Sequence, residues 1–151
     1  MPWNLAELNI AKMIYAPDGP EMQDFNDALD SVNALADSSE GFVWRLVSDP
    51  DNPQADLVFD DESWLVNLSV WLGVDDLMSF IRTDLHLSVM RRRSEWFAPQ
   101  EEATMVLWWI PDGHIPTVQE AQERLLALRA DGPSQSAFGF AEAWPPPAGE
   151  P

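Results

Sequence analysis

The run of residues 64–71, WLVNLSVW, constrains the fold more than any other stretch of the chain. It is apolar enough to be a central strand of a sheet, and Gly73 ends it directly before a helical pattern at residues 74–95. A buried strand followed at once by a helix indicates a protein in which helices pack against a sheet. We therefore expect a mixed α and β core built around this strand.

Periodicity assigns the rest of the chain to further strands and helices. Alternating apolar residues predict strands at 3–14, 41–47 and 102–110, with short strands at 57–59 and 137–140. Apolar spacings of three and four predict helices at 21–38, at 74–95 with a break near Thr83 and Asp84, and at 117–129. Asp75 or Asp76 is the expected cap of the second helix, and Thr117 that of the last, with Glu120 completing a capping box.

The order of these elements predicts an α+β fold. It is β-α-β-β-α-β with an extra C-terminal helix and short strand, which is the ferredoxin-like split βαβ arrangement. The expected sheet is antiparallel with helices on one face. Because the other face then needs a cover, we predict a homodimer in which a second copy supplies it.

Length and composition limit the partners. At 151 residues the chain fits one domain, residues 1–143, followed by a Pro-rich flexible tail, residues 144–151. A formal charge of -18 argues against nucleic acid and anionic membrane as partners. The N-terminus lacks signal-peptide features and no long apolar run is present, so we expect a cytoplasmic protein.

The central strand carries the first candidate site residues. Asn67, Ser69 and Trp71 alternate along it and therefore point to one face. An amide, a hydroxyl and an indole N–H side by side can line a pocket and bind a ketone or a phenol. In the alternative interpretation, Asn67 satisfies a neighbouring backbone group and Trp71 is a core residue.

His86 is the second candidate, on the helix that follows. It shares a helical stripe with Met90, Arg93 and Phe97, at spacings of four, seven and eleven. A neutral imidazole beside an apolar wall suits a general base or an axial haem ligand. The alternative is a hydrogen-bonded structural histidine.

The remaining candidates are cationic or aromatic. Arg45 lies on an apolar strand and is either an anion contact or one side of an inter-strand or dimer salt bridge. Arg91, Arg92 and Arg93 point about 100° apart on a helix, so at most one reaches a ligand. With Trp109 of a later strand, Ser69, Arg45, Arg93, Met90 and Phe97 are the expected substrate contacts.

Metal and nucleotide chemistry lack their motifs. The chain has two His and no Cys, and neither HxH nor HExxH spacing is present. His114 lies in a Gly-Pro turn, where a capping or loop role is expected. No GxGxxG, GxxxxGK or GxSxG occurs, so we expect no metal site and no nucleotide site.

An ordered set of motifs resembles a known family. Asn67-Leu-Ser-Val-Trp71 is followed by GVDDLMSF, His86, the arginine run, Trp96-Phe97 and Gly113-His-Ile-Pro-Thr117. Over about residues 3–140 the chain resembles the bacterial domain-of-unknown-function family numbered 3291. That resemblance implies no activity.

The pattern of strands and helices also resembles, more remotely, the dimeric α/β-barrel superfamily. This superfamily includes antibiotic-biosynthesis-type monooxygenases, muconolactone-isomerase-like proteins, and haem enzymes of the chlorite dismutase and aldoxime dehydratase kinds. Its cofactor-free anthrone oxygenases have an Asn and a Trp four apart on a strand, and Asn67 and Trp71 match this spacing. The resemblance implies a dimeric α/β-barrel.

These observations give three hypotheses for function. The first is an enzyme for an apolar, aromatic or polyketide-like substrate, working by cofactor-independent oxidation, isomerisation or cyclisation. His86 would be the base, and Asn67 and Trp71 would stabilise the enolate. The second is a non-catalytic binding module for a hydrophobic metabolite, and the third is a haem protein with His86 as axial ligand.

Overall fold

The computed structural model describes residues 2–52 and 54–151, and within them it has one five-stranded antiparallel sheet. The strands are β1 (Trp3–Met13), β2 (Phe42–Arg45), β3 (Trp64–Trp71), β4 (Phe97–Ala98) and β5 (Met105–Pro111). The long strand β1 is central, with β3 on one side and both β5 and β4 on the other, while β2 extends the sheet beyond β3. The predicted α+β class and antiparallel sheet are confirmed, and the strand predicted at residues 64–71 is an interior strand between β1 and β2.

Four helices lie in the described part of the chain. They are α1 (Gln23–Asp37), α2 (Val74–Ile81), α3 (Asp84–Arg91) and α4 (Val118–Asp131). The predicted break at Thr83 is present, because Thr83 caps α3 and its Oγ1 accepts a hydrogen bond from the His86 backbone N–H at 3.4 Å. No described helix is both long enough and apolar enough to cross a membrane.

One predicted cap and one half of the predicted capping box differ from the structure. Gly73, not Asp75 or Asp76, is the N-cap of α2, and both aspartates lie inside its first turn. Thr117 caps α4 as predicted, with Oγ1 accepting from the Glu120 N–H at 3.1 Å. The reciprocal half of the capping box was wrong, since the Glu120 carboxylate instead accepts from Trp108 Nε1 at 2.9 Å.

The two faces of the sheet are covered by different helices. The face that bears Leu5, Glu7 and Asn9 of β1 lies under α1, α2 and α3, and we call it the helix face. The opposite face bears Ala6 and Leu8 and packs against α4, and we call it the α4 face. Pairing in register places Ser69 and Asn67 of β3 on the helix face as well.

The argument for a covering second copy was wrong in its premise. On the α4 face, Ala6, Leu8 and Trp108 are 0% exposed within the single chain. They pack with Ala121 and Leu125 of α4, so the C-terminal helix supplies the cover that a partner was expected to supply. Homodimer formation itself stays a prediction.

The two short predicted strands were also wrong. Residues 57–59 form a loop in which Val58 is buried in the core and Phe59 has a positive φ of 55°. The Phe59 N–H donates to Gln122 Oε1 at 2.8 Å, so it is satisfied by α4 and not by a strand. At 137–140 a single bridge joins Phe138 to Leu107, and a 3₁₀ turn, Phe140–Glu142, follows.

The C-terminal tail makes hydrogen bonds to the body of the domain. Trp109 Nε1 donates to the Trp144 carbonyl at 2.9 Å, and Trp3 Nε1 donates to the Gly149 carbonyl at 3.1 Å. The tail therefore lies beside both the last strand and the first. Its predicted flexibility and the domain boundary at residue 143 stay predictions.

Candidate functional site

A row of hydrogen-bonded polar side chains crosses the middle of the helix face. Asn67 Nδ2 donates to Asn9 Oδ1 at 2.9 Å, and Asn9 Nδ2 donates to Glu7 Oε1 at 2.6 Å. From the other side, Trp71 Nε1 donates to Ser69 Oγ at 3.0 Å, and Ser69 Oγ donates to Glu7 Oε2 at 3.1 Å. We call these five residues the polar ladder, and both halves of it end on the Glu7 carboxyl group.

Glu7 is the buried centre of the ladder. Only 5% of the residue is exposed, and burial raises its pKa to about 7, against the opposing effect of the hydrogen bonds from Asn9 and Ser69. Within the described chain, no Lys, Arg or His side chain forms an ion pair with it. Near neutral pH the carboxyl group is therefore present in both protonation states.

The alternation of two adjacent strands builds the ladder. Glu7 and Asn9 are two residues apart on β1, as Asn67 and Ser69 are on β3, and the antiparallel register sets Glu7 opposite Ser69 and Asn9 opposite Asn67. Sequence reasoning missed Glu7, because the polar residues of the first strand were assigned to its polar face. The signal that could have identified Glu7 is the matching pattern of two polar residues, two positions apart, on each of two paired strands.

Apolar clusters flank the ladder at both ends. At one end Trp71 stacks on Phe80 of α2, with ring centroids 5.2 Å apart, and meets the edge of Phe42 at 5.4 Å. At the other end Phe25 of α1 packs against Trp96 at 5.3 Å. The ladder is thus a polar strip between two aromatic walls, as expected of a site for an apolar molecule with one or two polar atoms.

His86 lies beside the aromatic wall formed by Trp71 and Phe80. Its ring centroid is 5.3 Å from that of Phe80, and its Nδ1 atom is buried without a hydrogen-bond partner in the described structure. Burial lowers the pKa of the imidazole, and the smaller effect of the Ile81 backbone acts in the opposite direction. The ring is therefore neutral at pH 7.

The polar ladder keeps some accessible surface on the helix face. Helices α1 and α4 each have three buried residues, whereas α3 has none. Asn9, Asn67 and Ser69 are only partly buried, although they lie in the middle of the sheet beneath the helices. This partial exposure gives a ligand access to the ladder from the helix face, and we call this accessible region the cleft.

The structure brings together the three residues predicted on the central strand, but it changes their roles. Asn67, Ser69 and Trp71 lie on one face as expected. The indole N–H of Trp71 is occupied by Ser69, and one amide N–H of Asn67 is occupied by Asn9. An amide has two donor hydrogens, so Asn67 keeps one for a ligand, while Trp71 has none left.

The predicted stripe of His86, Met90, Arg93 and Phe97 does not form. Helix α3 ends at Arg91, so the helical spacing no longer holds beyond it, and Arg93 is exposed in a 3₁₀ turn. Met90 is 42% exposed. Phe97 lies in β4 and meets Phe25 edge-on at 4.9 Å, in the cluster at the far end of the ladder.

Arg45 and Trp109 are occupied elsewhere. Arg45 lies opposite Ser69 on the sheet, but its guanidinium binds both carboxylate oxygens of Asp37 at the end of α1, at 2.7 and 3.2 Å. This pair lowers the pKa of Asp37. Trp109 lines a separate surface cavity of about 570 Å³ with Trp144. Neither residue contacts the ladder through a hydrogen bond in the described structure.

No group of three or more His, Asp or Glu in the described residues is arranged to hold a metal ion. His114 is 2.7 Å from Glu120 through its Nε2 atom, which agrees with the loop role expected for it. The candidate site consists of the polar ladder, the aromatic residues at its two ends, and His86, which contacts Phe80 at one of these ends.

Comparison with known proteins adds a family and a set of distant structures. The family model described as "Domain of unknown function (DUF3291)" matches residues 4–151. No curated protein matches the chain.

Among solved structures, the chain is similar to a conserved protein of Methanosarcina mazei Go1, at 16% identity over 73% of this chain and 93% of that one, with a TM-score of 0.49. It is also similar to SnoaB, a cofactor-independent oxygenase from Streptomyces nogalater, at 13% identity over 74% and 95% of the two chains, with a TM-score of 0.47. Likeness at this level says nothing about activity.

Proposed function

Since the chain belongs to the DUF3291 family, whose description assigns no activity, we propose from its own site that it is a small-molecule enzyme. Its substrate is an apolar, aromatic or polyketide-like molecule that carries a ketone or a phenol. The reaction is a cofactor-independent oxidation, isomerisation or cyclisation that begins with removal of a proton next to the carbonyl group. The observation that carries the proposal is the buried imidazole of His86 beside Phe80: burial lowers its pKa, and its Nδ1 atom has no hydrogen-bond partner in the described structure.

His86 is the base in this proposal. A neutral imidazole accepts a proton at neutral pH, and its buried Nδ1 atom has a lone pair that no protein donor in the described structure occupies. Removal of a carbon-bound proton leaves an imidazolium ion and an enolate. An apolar ligand bound against the aromatic walls displaces water, which strengthens the interaction between these two charges.

The polar ladder binds the oxygen of the enolate. Asn67 has a free amide hydrogen and Ser69 is partly exposed to the cleft, so both can reach a carbonyl oxygen. Trp71 holds Ser69 in place and is a positioning residue. Preorganised donors of this kind stabilise the charge that develops on oxygen during proton removal.

Anthrone is a suitable probe substrate, because its central CH₂ group is acidified by the ketone across the ring. The enzyme would remove one of these protons, and the resulting carbanion would react with oxygen, so that anthrone and O₂ give anthraquinone and water. Oxygen uptake and anthraquinone absorbance both follow the reaction. His86→Phe keeps the packing against Phe80 and should lower turnover by about 10²-fold or more, since a positioned base contributes about 10²–10⁴.

A matched control tests the same substitution outside the site. His114 is partly exposed and pairs with Glu120 on the α4 side, so His114→Phe should retain the turnover of the parent protein. Full turnover of anthrone by His86→Phe would remove His86 from the role of base.

A non-catalytic binding protein is the second candidate, and the ladder itself favours it. The indole N–H of Trp71 and one amide hydrogen of Asn67 are already bound within the protein, as in a rigid pocket that only sequesters a ligand. Saturable binding of the hydrocarbon fluorene without turnover of anthrone, unchanged by His86→Phe, would establish this function.

A haem protein is the third candidate, and His86 is the residue that would hold the iron. The unpartnered Nδ1 atom of a neutral imidazole fits an axial ligand chemically. Bound haem would supply one-electron or oxygen chemistry. A Soret band that forms on addition of haemin and disappears in His86→Phe would support it, whereas a protein that leaves the haemin spectrum unchanged would exclude it.

A further inference from the structure

We propose that the hydroxyl group of Ser69 is a hydrogen-bond donor controlled by Glu7, released toward the cleft when Glu7 takes up a proton and then bound to the carbonyl oxygen of a neutral ligand. The inference rests on the proposed function, because it assumes that the cleft binds a ketone. It adds a coupling between ligand binding and protonation, and it assigns the site to uncharged carbonyl compounds. The hydrogen-bond geometry around Ser69 carries it.

When Glu7 is ionised, Ser69 has no hydrogen to offer a ligand. A hydroxyl group has one donor hydrogen and two acceptor sites. Trp71 Nε1 can only donate and occupies one acceptor site at 3.0 Å, while the single hydrogen of Ser69 points to Glu7 Oε2 at 3.1 Å. The hydroxyl group is therefore committed to the ladder.

When Glu7 is protonated, its new hydrogen needs an acceptor. Asn9 presents its NH₂ group to Glu7 Oε1 and directs its oxygen to Asn67 Nδ2, so that this oxygen does not face Glu7. Among the hydrogen-bond partners of Glu7, the remaining acceptor is Ser69 Oγ. The second lone pair of Ser69 is then occupied, so its own hydrogen must turn away from Glu7.

The released hydrogen points into the cleft. Ser69 is only partly buried, and the rest of its surroundings are the sheet and the Trp71 indole. A ligand that covers this donor without accepting its hydrogen leaves it unsatisfied, so a ligand carbonyl that accepts the hydrogen is favoured over an apolar group. A carboxylate ligand would need a cation to balance its charge. Arg45 is already bound to Asp37, so this part of the described helix face offers a carboxylate no free cation.

Glu7 is the group of this region that titrates between about pH 6 and 8. The titratable or charged groups on this side of the sheet are Arg45 of β2, opposite Ser69, with its partner Asp37 of α1, and His86 of α3. Arg45 and Asp37 hold each other in their charged forms, and burial keeps His86 neutral down to a lower pH than usual. With the pKa of Glu7 at about 7, its protonated fraction falls about tenfold over this range.

The experiment compares two probes that differ only at the carbonyl group. 9-Fluorenone has a C=O where fluorene has a CH₂, and binding of each is measured by calorimetric titration at about pH 6, 7 and 8. We expect the affinity for fluorenone to fall about tenfold from pH 6 to pH 8, since the competent state is populated in proportion to the protonated fraction. Fluorene should show no such change.

Two variants separate the coupling from a general disturbance of the site. In Glu7→Gln, the amide oxygen accepts from Asn9 and the NH₂ group donates to Ser69, which reproduces the protonated state. This variant should bind fluorenone at every pH as tightly as the parent protein does at pH 6. Ser69→Ala should lose both the pH dependence and the preference for the ketone, and Ser69→Thr should restore them.

The possible results separate the role of Ser69 from the proposed function. Equal pH dependence for both probes, or pH dependence that persists in Ser69→Ala, overturns the role of Ser69 and leaves the proposed function in place. Binding of neither probe at any pH overturns the proposed function and this inference with it. Circular dichroism of each variant confirms that the domain is folded before the comparison is made.

Discussion

At the scale of single residues, Glu7 couples the stability of the domain to pH. Burial raises its pKa from the usual 4.5 to about 7, so the folded state binds a proton more tightly than the unfolded chain does. The free energy of unfolding therefore falls as pH rises from the unfolded pKa to the folded pKa, and it levels off above about 7. The folded protein is less stable with Glu7 ionised, because the hydrogen bonds from Asn9 and Ser69 only partly offset the burial of the charge.

The variant Glu7→Gln measures this effect directly. Between pH 5 and pH 8 we expect the parent protein to lose about 2.5 kcal/mol relative to the variant, as two titrations about 2.5 units apart require. Urea unfolding followed by tryptophan fluorescence gives the two free energies at each pH. Parallel stability curves for the two proteins would show that Glu7 has an ordinary pKa.

Residue-level predictions from sequence succeeded where periodicity alone decides orientation. The shared face of Asn67, Ser69 and Trp71 follows from strand alternation and is present in the structure. The stripe from His86 to Phe97 failed, because an extrapolated helical spacing cannot indicate that α3 ends at Arg91. The partners of Arg45 and Trp71 depend on tertiary packing, which no local pattern contains.

At the scale of elements, α3 holds the proposed base and is packed least tightly. Thr83 fixes its first turn, since Oγ1 accepts from the His86 N–H at 3.4 Å and donates to the Phe80 carbonyl at 2.7 Å. The same side chain thus links the end of α2 to the start of α3. This cap is therefore one of the contacts that hold His86 in position.

Thr83→Ala tests this dependence, with Thr117→Ala of α4 as its matched control. Both substitutions remove a threonine N-cap, and each should lower the free energy of unfolding by about 1 kcal/mol in denaturant titrations. Turnover of anthrone should fall only in Thr83→Ala. Equal turnover in the two variants would mean that α3 keeps its place without the cap.

Elements that bury apolar residues without regular pairing were the ones that sequence reasoning misassigned. The loop at 57–59 carries Val58 into the core and was predicted to be a strand. An apolar run indicates burial, but it does not distinguish a strand from a loop whose N–H group is satisfied by a side chain, as Gln122 satisfies Phe59.

At the scale of the whole molecule, each face of the sheet has its own cover within the chain. Helix α4 fills the position that the predicted partner was expected to fill, so a dimer would have to use another surface. Exposed apolar residues available for such a contact include Val47, at 67% exposed, and Ile115, at 59%. Each copy carries a formal charge of -18, so association would be opposed by repulsion at low salt.

The homodimer remains a prediction that native mass spectrometry tests. A dimer has a mass of about 34 kDa, twice the 17.0 kDa of the chain. Because salt screens the repulsion between two acidic copies, its fraction should rise with ionic strength. A species at 17.0 kDa alone, over a range of protein and salt concentrations, would contradict the prediction.

The hydrogen bond between Trp3 and the Gly149 carbonyl brings the beginning and the end of the described chain to one place. A short Gly-Ser linker can therefore join them without crossing the sheet or disturbing the cleft. New ends opened in the exposed loop near residues 49–51 would leave every strand pairing intact, with β3 then preceding β1 in the chain. We expect the sheet to form even when β1 follows β3, β4 and β5 in the chain, so a circularly permuted domain should fold.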